Sequence, residues 1–217
     1  MNRLRRVLLV LALFGAAARA EEIRVMTSGA FTAAYMALIP PFEKASGHKV
    51  VTVTTSMETI PARLARGDAA DVVIVADDSL NEFIAAGSVM AVSRQPLARS
   101  RIGMAVRAGA VKPDISSVEA LKRTLLEAKS IAYSASVSGT YLATVLFPRL
   151  GIADEIAAKC RRVTGERVGA VVARGEAEIG FQQVSELMEV PGIDYVGPLP
   201  AEAQKVTLFS AGVAAVS

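Results

Sequence analysis

The sequence predicts an α/β protein of two lobes whose sheets are mixed but mostly parallel. Three features predict it. Short runs rich in β-branched residues alternate with stretches of helical spacing along nearly the whole chain, the pattern of strands joined by helical crossovers. Some runs, DVVIV above all, are almost continuously apolar, which suits sheets covered on both faces. Hydroxyl- or glycine-rich segments recur where helices begin, two in each half of the chain.

The chain opens on MNRLRRVLLVLALFGAAARA. Arg3, Arg5 and Arg6, an apolar core from Val7 to Phe14 and the small-x-small end Ala18-Arg19-Ala20 predict a signal peptide over residues 1–20 and export to a periplasm. No later stretch reaches the roughly 20 apolar residues that crossing a bilayer needs. The expected protein is free of the membrane and monomeric.

From there the elements follow in order. EIRVMT (22–27) is a strand, and Thr27-Ser28-Gly29 leads into a helix over 30–39 whose apolar face carries Phe31, Tyr35 and Leu38. Pro40-Pro41 is expected to break or kink that helix, leaving a second short turn that ends at Gly47. KVVTVTT (49–55) is the next strand, with Thr55-Ser56 before a helix over 58–66. DVVIVA (71–76) precedes a helix over 79–86, with Asp77 and Asp78 as caps and Glu82 completing the box. The chain changes lobe around PLARSR (96–101). Strands follow at 101–107 and 130–133, then SVSGT (136–140) before a helix over 140–149. GERVG (165–169) opens a helix over 168–174, and EIGFQQ (178–183) and KVTLFSAGV (205–213) are strands. Residues 21–97 plus 206–217 then form the first lobe and 98–205 the second.

Composition excludes several functions. The full chain has 24 basic and 21 acidic side chains, but the signal segment holds four arginines and no acid, leaving 20 against 21. The remaining charges are scattered in sign, so no nucleic-acid footprint is expected. Cys160 is the only cysteine, which excludes an internal disulfide and any two-cysteine metal site. His48 is the only histidine and reads as a loop residue. No metal and no cofactor is expected.

The junctions between strands and helices carry the functional reading. In parallel α/β sheets, ligands bind where strands end and helices begin. A free helix N-terminus presents backbone N–H groups and roughly half a positive charge to an anion. With two such junctions in each half, one anion can be held between two lobes.

These junctions sit in a wider match. RVMTSGAFTAAY, FEKASGHKVVTV, RLARGDAADVVIVA, SVSGTY and VVARGEAEIGFQQVSEL, spread over about residues 22 to 213, resemble the periplasmic molybdate-binding proteins and the wider extracellular solute-binding proteins of the type 2 periplasmic-binding fold. The resemblance implies two lobes on a hinge that close on a solute and hand it to an ABC permease. It implies hydroxyl ligands at Ser28, beside Gly29, and at Ser56, and backbone ligands near Ser138, Gly139, Thr140 and Val168. Gln182 and Gln183 fall beside them, Gln183 where molybdate binders usually place a tyrosine. That variant resembles a subgroup that includes aconitate isomerase. Family members also continue beyond FSAGVAAVS through helices that cover the first lobe, which the resemblance implies are missing here.

Two expectations follow. The first is a carrier of an oxyanion or small polycarboxylate. The alternative is an isomerase that shifts a double bond in aconitate, which needs a base within reach of a carbon-bound proton and cations for the developing charge. Asp77, Asp78 and Glu186 are the candidate bases. Arg101 and Arg167 are the favoured cations, ahead of Arg63 and Arg66, while Tyr35 and Tyr141 are expected in the core.

Overall fold

A computed structural model describes residues 21–27, 29–55 and 59–215. The signal segment 1–20 and both predicted hydroxyl ligands of the first lobe, Ser28 and Ser56, lie outside the described residues.

The strands are β1 (Glu22–Thr27), β2 (Lys49–Thr54), β3 (Val72–Ala76), β4 (Gln95–Ser100), β5 (Ile102–Arg107), β6 (Ile131–Ser134), β7 (Cys160–Val163), β8 (Ile179–Gln183), β9 (Ile193–Pro198) and β10 (Thr207–Val213). The α-helices are α1 (Gly29–Ser46), α2 (Ile60–Ala65), α3 (Asp77–Ala85), α4 (Val118–Glu127), α5 (Val137–Tyr141), α6 (Phe147–Arg149), α7 (Ala153–Ile156), α8 (Val168–Ala173) and α9 (Val184–Leu187).

They build two five-stranded sheets, ordered β2-β1-β3-β10-β4 and β7-β6-β8-β5-β9. In each sheet four strands run one way and the fourth in order, β10 or β5, runs against them, giving two parallel and two antiparallel pairings, so the sheets are mixed as expected. The cause is the exchange of strands between sheets. The chain leaves the first sheet after β4 and enters the second as β5, with Arg101 between them; it returns from β9 to β10 through residues 199–206. The first crossing lies at the end of PLARSR (96–101). At the crossing, Gln204 Oε1 accepts from the Ile102 amide at 2.7 Å and Gln204 Nε2 donates to the Ile102 carbonyl at 3.0 Å. One side chain thereby clamps the two connecting segments together.

Alternating strand residues bury against opposite layers. Val73 and Val75 of β3 pack with Ile60, Leu80 and Phe83, while Ile74 faces Val25 and Tyr35. In the second sheet Ile179 and Phe181 join Leu121, Leu125 and Leu142, while Val168, Val171 and Val172 of α8 cover the other face around Ala132. Covered faces of this kind explain why the central strands are apolar throughout.

Three details depart from the sequence reading. α1 runs unbroken from Gly29 to Ser46 through Pro40 and Pro41. Proline's fixed φ is helical, and the surrounding turn, Met36 to Leu38, is exposed, so the carbonyls that lose a donor face water. The helix stops where expected, at Gly47 with φ +77. The predicted helix over 140–149 starts earlier, at Val137, with Ser136 as its N-cap. It widens into a π turn over Leu142–Leu146 just before Pro148, whose ring crowds the preceding turn and which has no N–H to give it. Asp77 and Asp78 lie within the first turn of α3 and cap nothing through their side chains.

Candidate functional site

The carboxyl ends of the six parallel strands face one another across a cavity of about 700 Å³ between the sheets. The first lobe contributes Gly29, Ala30 and Thr32 at the start of α1, Thr55 after β2, Ala76 at the end of β3, and Phe209 of β10. The second contributes Ser134, Ser136 and Val137 where β6 meets α5, the segment from Arg162 to Arg167, and Gln182, Gln183 and Glu186. A smaller recess of about 340 Å³ adjoins it at Ala135 to Val137.

Glu186 is the unusual group. α9 begins at the hinge, where the Val184 amide donates to the Arg101 carbonyl at 2.9 Å, and packs against the start of α1. Glu186 is 8% exposed. Its Oε1 accepts from Gln182 Nε2 at 2.9 Å, while its Oε2 is buried without a hydrogen-bond partner. Burial pushes its pKa up to about 7, against the opposing pull of the Arg167 charge and the Gln182 amide. A carboxyl poised there holds or releases a proton near neutral pH.

Gln182 and Gln183 are almost fully buried. Gln182 Oε1 accepts from the Val168 amide at 2.8 Å. Gln183 Nε2 donates to Thr207 Oγ1 at 2.9 Å, and Gln183 Oε1 is a second buried oxygen without a partner on the same wall. Ser134 Oγ lies 2.8 Å from Ser136 Oγ and 3.0 Å from Ser138 Oγ, a hydroxyl cluster at the mouth of α5.

Two cations reach the cavity. Arg167 pairs with Glu189 at 3.3 Å. Arg162 donates to the Ala135 carbonyl at 3.1 Å, and among the described residues no carboxylate lies within salt-bridge distance of it. Glu166 also lines the wall, but Arg174 binds it through two nitrogens at 2.9 and 3.0 Å.

The structure therefore brings together Gly29, Gln182, Gln183, Glu186 and Arg167 and separates them from other candidates. Val168 is fully buried and its amide is taken by Gln182. Ser138 is also fully buried, its hydroxyl held by Ser134. Gly139 is small for packing: a Cβ there would stand 1.7 Å from the Ser134 carbonyl oxygen. Thr140 opens onto the smaller recess.

Asp77 is held by Arg94 and Ser210. Its Oδ1 accepts from Arg94 at 2.8 Å and Ser210 at 2.6 Å, and its Oδ2 from Arg94 at 2.6 Å; Arg94 holds the carboxyl below its usual range. Asp78 is exposed and 3.8 Å from Lys205. Neither lines the main cavity, nor do Arg101, which is exposed at the hinge, or Arg63 and Arg66, which bind Asp68. Tyr35 is buried with its hydroxyl 2.9 Å from Thr52 Oγ1, and Tyr141 donates to the Ala203 carbonyl at 3.2 Å. Arg162 was missed as a site residue because its strand, β7, has no apolar run; its one signal was its place ahead of GERVG. Ser136 stood in the SVSGT junction, and Ser134 two residues before it was not singled out. Among the described residues no cluster of three or more His, Cys, Asp or Glu is gathered as a metal site, and no helix is long and apolar enough to cross a membrane.

Two α/β lobes with a polar cavity at their strand ends define a binding protein of the two-lobed periplasmic type. The family model for bacterial extracellular solute-binding proteins matches residues 23–217, and the chain belongs to that family. Aconitate isomerase from Pseudomonas sp is 47% identical over 207 residues, covering 93% of this chain and 79% of that protein. A molybdate-binding protein of Azotobacter vinelandii is 28% identical over 179 residues, covering 81% and 69%. The solved structure of the Azotobacter vinelandii periplasmic molybdate-binding protein superposes with a TM-score of 0.71 at 22% identity, covering 90% of this chain and 86% of that one.

Proposed function

We propose that this protein is an isomerase of the aconitate type: its cleft binds a small anion bearing several carboxylates and moves a proton between two of its carbons. The observation that carries this is Glu186, a residue of the cavity lining whose Oε2 is buried without a hydrogen-bond partner. A neutral carboxyl there can donate its O–H to an oxyanion such as molybdate, but only a carbon acid uses its ability to take the proton back. A carbon acid gains a base.

In the proposed reaction Glu186, ionised, takes a proton from the substrate methylene that lies between a carboxylate and the double bond. The electron pair left behind spreads over the three-carbon unit and its carboxylates. Protonated Glu186 returns the proton to the former vinyl carbon, so the double bond shifts and no atom is gained or lost. Arg162 and Arg167, which line the cavity, oppose the developing charge. The 47% identity to an aconitate isomerase supports the same reading.

The carrier reading is the second, supported by the solved molybdate-binding protein that shares the fold. In it the lobes close on an anion in the periplasm, after cleavage of residues 1–20, and present it to an ABC permease.

One experiment separates the two. The mature protein is screened by thermal shift against molybdate, tungstate, sulfate, citrate and both aconitates, where saturating ligand stabilises by about 2.7 kcal/mol at a hundredfold excess over Kd. Interconversion of cis- and trans-aconitate is followed by absorbance. Turnover that falls by about 10²- to 10⁴-fold in Glu186→Gln, with aconitate still stabilising the variant, is the expected result. Stabilisation by molybdate without turnover returns the protein to the carriers.

A further inference from the structure

We infer that Gln182 is a positioning residue that fixes which oxygen of Glu186 carries the proton, by holding Glu186 Oε1 as a permanent acceptor and leaving the proton to Oε2. The inference rests on the proton-transfer reading of the site, but it is tested apart from it.

The orientation of the Gln182 amide follows from its partners. The Val168 backbone amide can only donate, so the Gln182 atom 2.8 Å from it is the carbonyl oxygen Oε1. The planar amide then presents its NH₂ on the other side, where Nε2 lies 2.9 Å from Glu186 Oε1. An NH₂ group has no acceptor capacity. Glu186 Oε1 must therefore offer a lone pair in both protonation states, and a proton on Glu186 resides on Oε2, the oxygen without a protein partner. Gln182 is 3% exposed and Val168 fully buried, so the relay is rigid at both ends.

The other surroundings of Glu186 leave this role to Gln182. From the α1 side come Gly29 and Ala30, which carry no titratable group, and a Cβ on Gly29 would stand 3.2 Å from Glu186 Oε1. Arg167, ahead of α8, acts through its charge, tempered by its pairing with Glu189 at 3.3 Å. Gln182 supplies the one hydrogen bond to the carboxyl given by the described residues.

Two variants test the inference from either end of the relay. Gln182→Met removes the amide at similar length. Val168→Pro removes the donor that orients it, along with part of a buried side chain, at the first position of a helix where proline is tolerated, after an Arg167 whose ψ of 138° suits the residue before proline. The first readout needs no activity: the Glu186 carboxyl carbon is followed by NMR in ¹³C-glutamate-labelled protein, its signal assigned by its loss in Glu186→Gln. The second is the pH profile of aconitate turnover.

In Gln182→Met the Glu186 midpoint should rise by about one unit, since a hydrogen bond to the charged form is lost. kcat should fall on the order of tenfold to a hundredfold through misplacement of Oε2, with KM little changed and the rising limb of the pH profile moved by the same interval. Val168→Pro should move both readouts in the same direction by less. Folded variants that leave the midpoint and the kcat profile at the parent's values overturn the inference, whichever of the two folds. A parent without turnover whose Glu186 midpoint still moves in Gln182→Met sinks the isomerase reading and leaves the positioning of Glu186 standing.

Discussion

Ser185 Oγ donates to the carbonyl oxygen of Ala30 at 2.6 Å, joining α9 of the second lobe to the first turn of α1 in the first. The bond lies beside Glu186 and beside the hinge, so it holds the floor of the cleft in its present width. A neutral hydrogen bond contributes about 1 kcal/mol net. Ser185→Ala should therefore shift the lobes toward opening and weaken the binding of a stabilising anion by up to about fivefold, read by calorimetric titration. Unchanged affinity would mean that the lobes are held at this point by packing alone.

Gly139 is fixed by contact rather than by ligand. A methyl group there would meet the Ser134 carbonyl oxygen at 1.7 Å and the carbonyl carbon at 2.7 Å. Both are backbone atoms of β6 and cannot swing aside. Gly139→Ala should destabilise the protein by about 2–4 kcal/mol, seen as a lower urea midpoint, and should also disturb the serine cluster at the head of α5. A variant with the parent's midpoint would show that this junction yields more easily than its geometry implies.

The sequence made the central strands legible and hid most of the margins. β1, β3, β5, β6, β8 and β10 stand where β-branched runs predict them, and so does β2, an edge strand whose KVVTVT is β-branched all the same. β4, β7 and β9 were missed, and they are the other three sheet edges: QPLARS is mostly exposed, CRRV carries two exposed arginines, and IDYVGP is half-buried throughout. An edge strand has one neighbour and needs no continuous apolar run. The serine- and glycine-rich junctions pointed to the right end of the sheets. Spacing alone could not show that the amide at Val168 is already spent inside the fold, on Gln182. The same holds for the acids. Asp77 and Glu186 both follow apolar strands, and only their neighbours separate them, Arg94 beside one and buried apolar surface around the other.

Asp77 should accordingly matter to stability and not to turnover. It ties α3 to Arg94 and to Ser210 of β10. Asp77→Asn should lower stability by about 1–3 kcal/mol at neutral pH and leave the pH profile of aconitate turnover in place. Because Arg94 holds the folded carboxyl below its ordinary value, the stability that Asp77 contributes is present above the unfolded pKa and is lost as pH falls through the folded one. The difference between variant and parent should thus shrink in acid, measured by chemical denaturation. A shifted turnover profile in Asp77→Asn would restore it as a candidate base.

Glu186 should show the opposite dependence. Its pKa is raised by burial to about 7, so the folded protein holds this proton where the unfolded chain has already released it. The favourable contribution is complete below the ordinary carboxylate value of about 4.5, declines as pH rises, and is gone above about pH 7, where the folded protein must carry a buried charge. Glu186→Gln keeps the shape, and the glutamine oxygen can accept from Gln182 at every pH. Its stability relative to the parent should therefore rise between about pH 5 and pH 8, by up to about 3 kcal/mol if the full shift is expressed, as read from urea midpoints across that range. Anion binding should follow the same titration, since a carboxyl that is neutral below pH 7 accepts a polycarboxylate beside it and an ionised one resists it. A flat difference across that range would show that Glu186 ionises normally in the folded protein, and it would lose its claim to be the base.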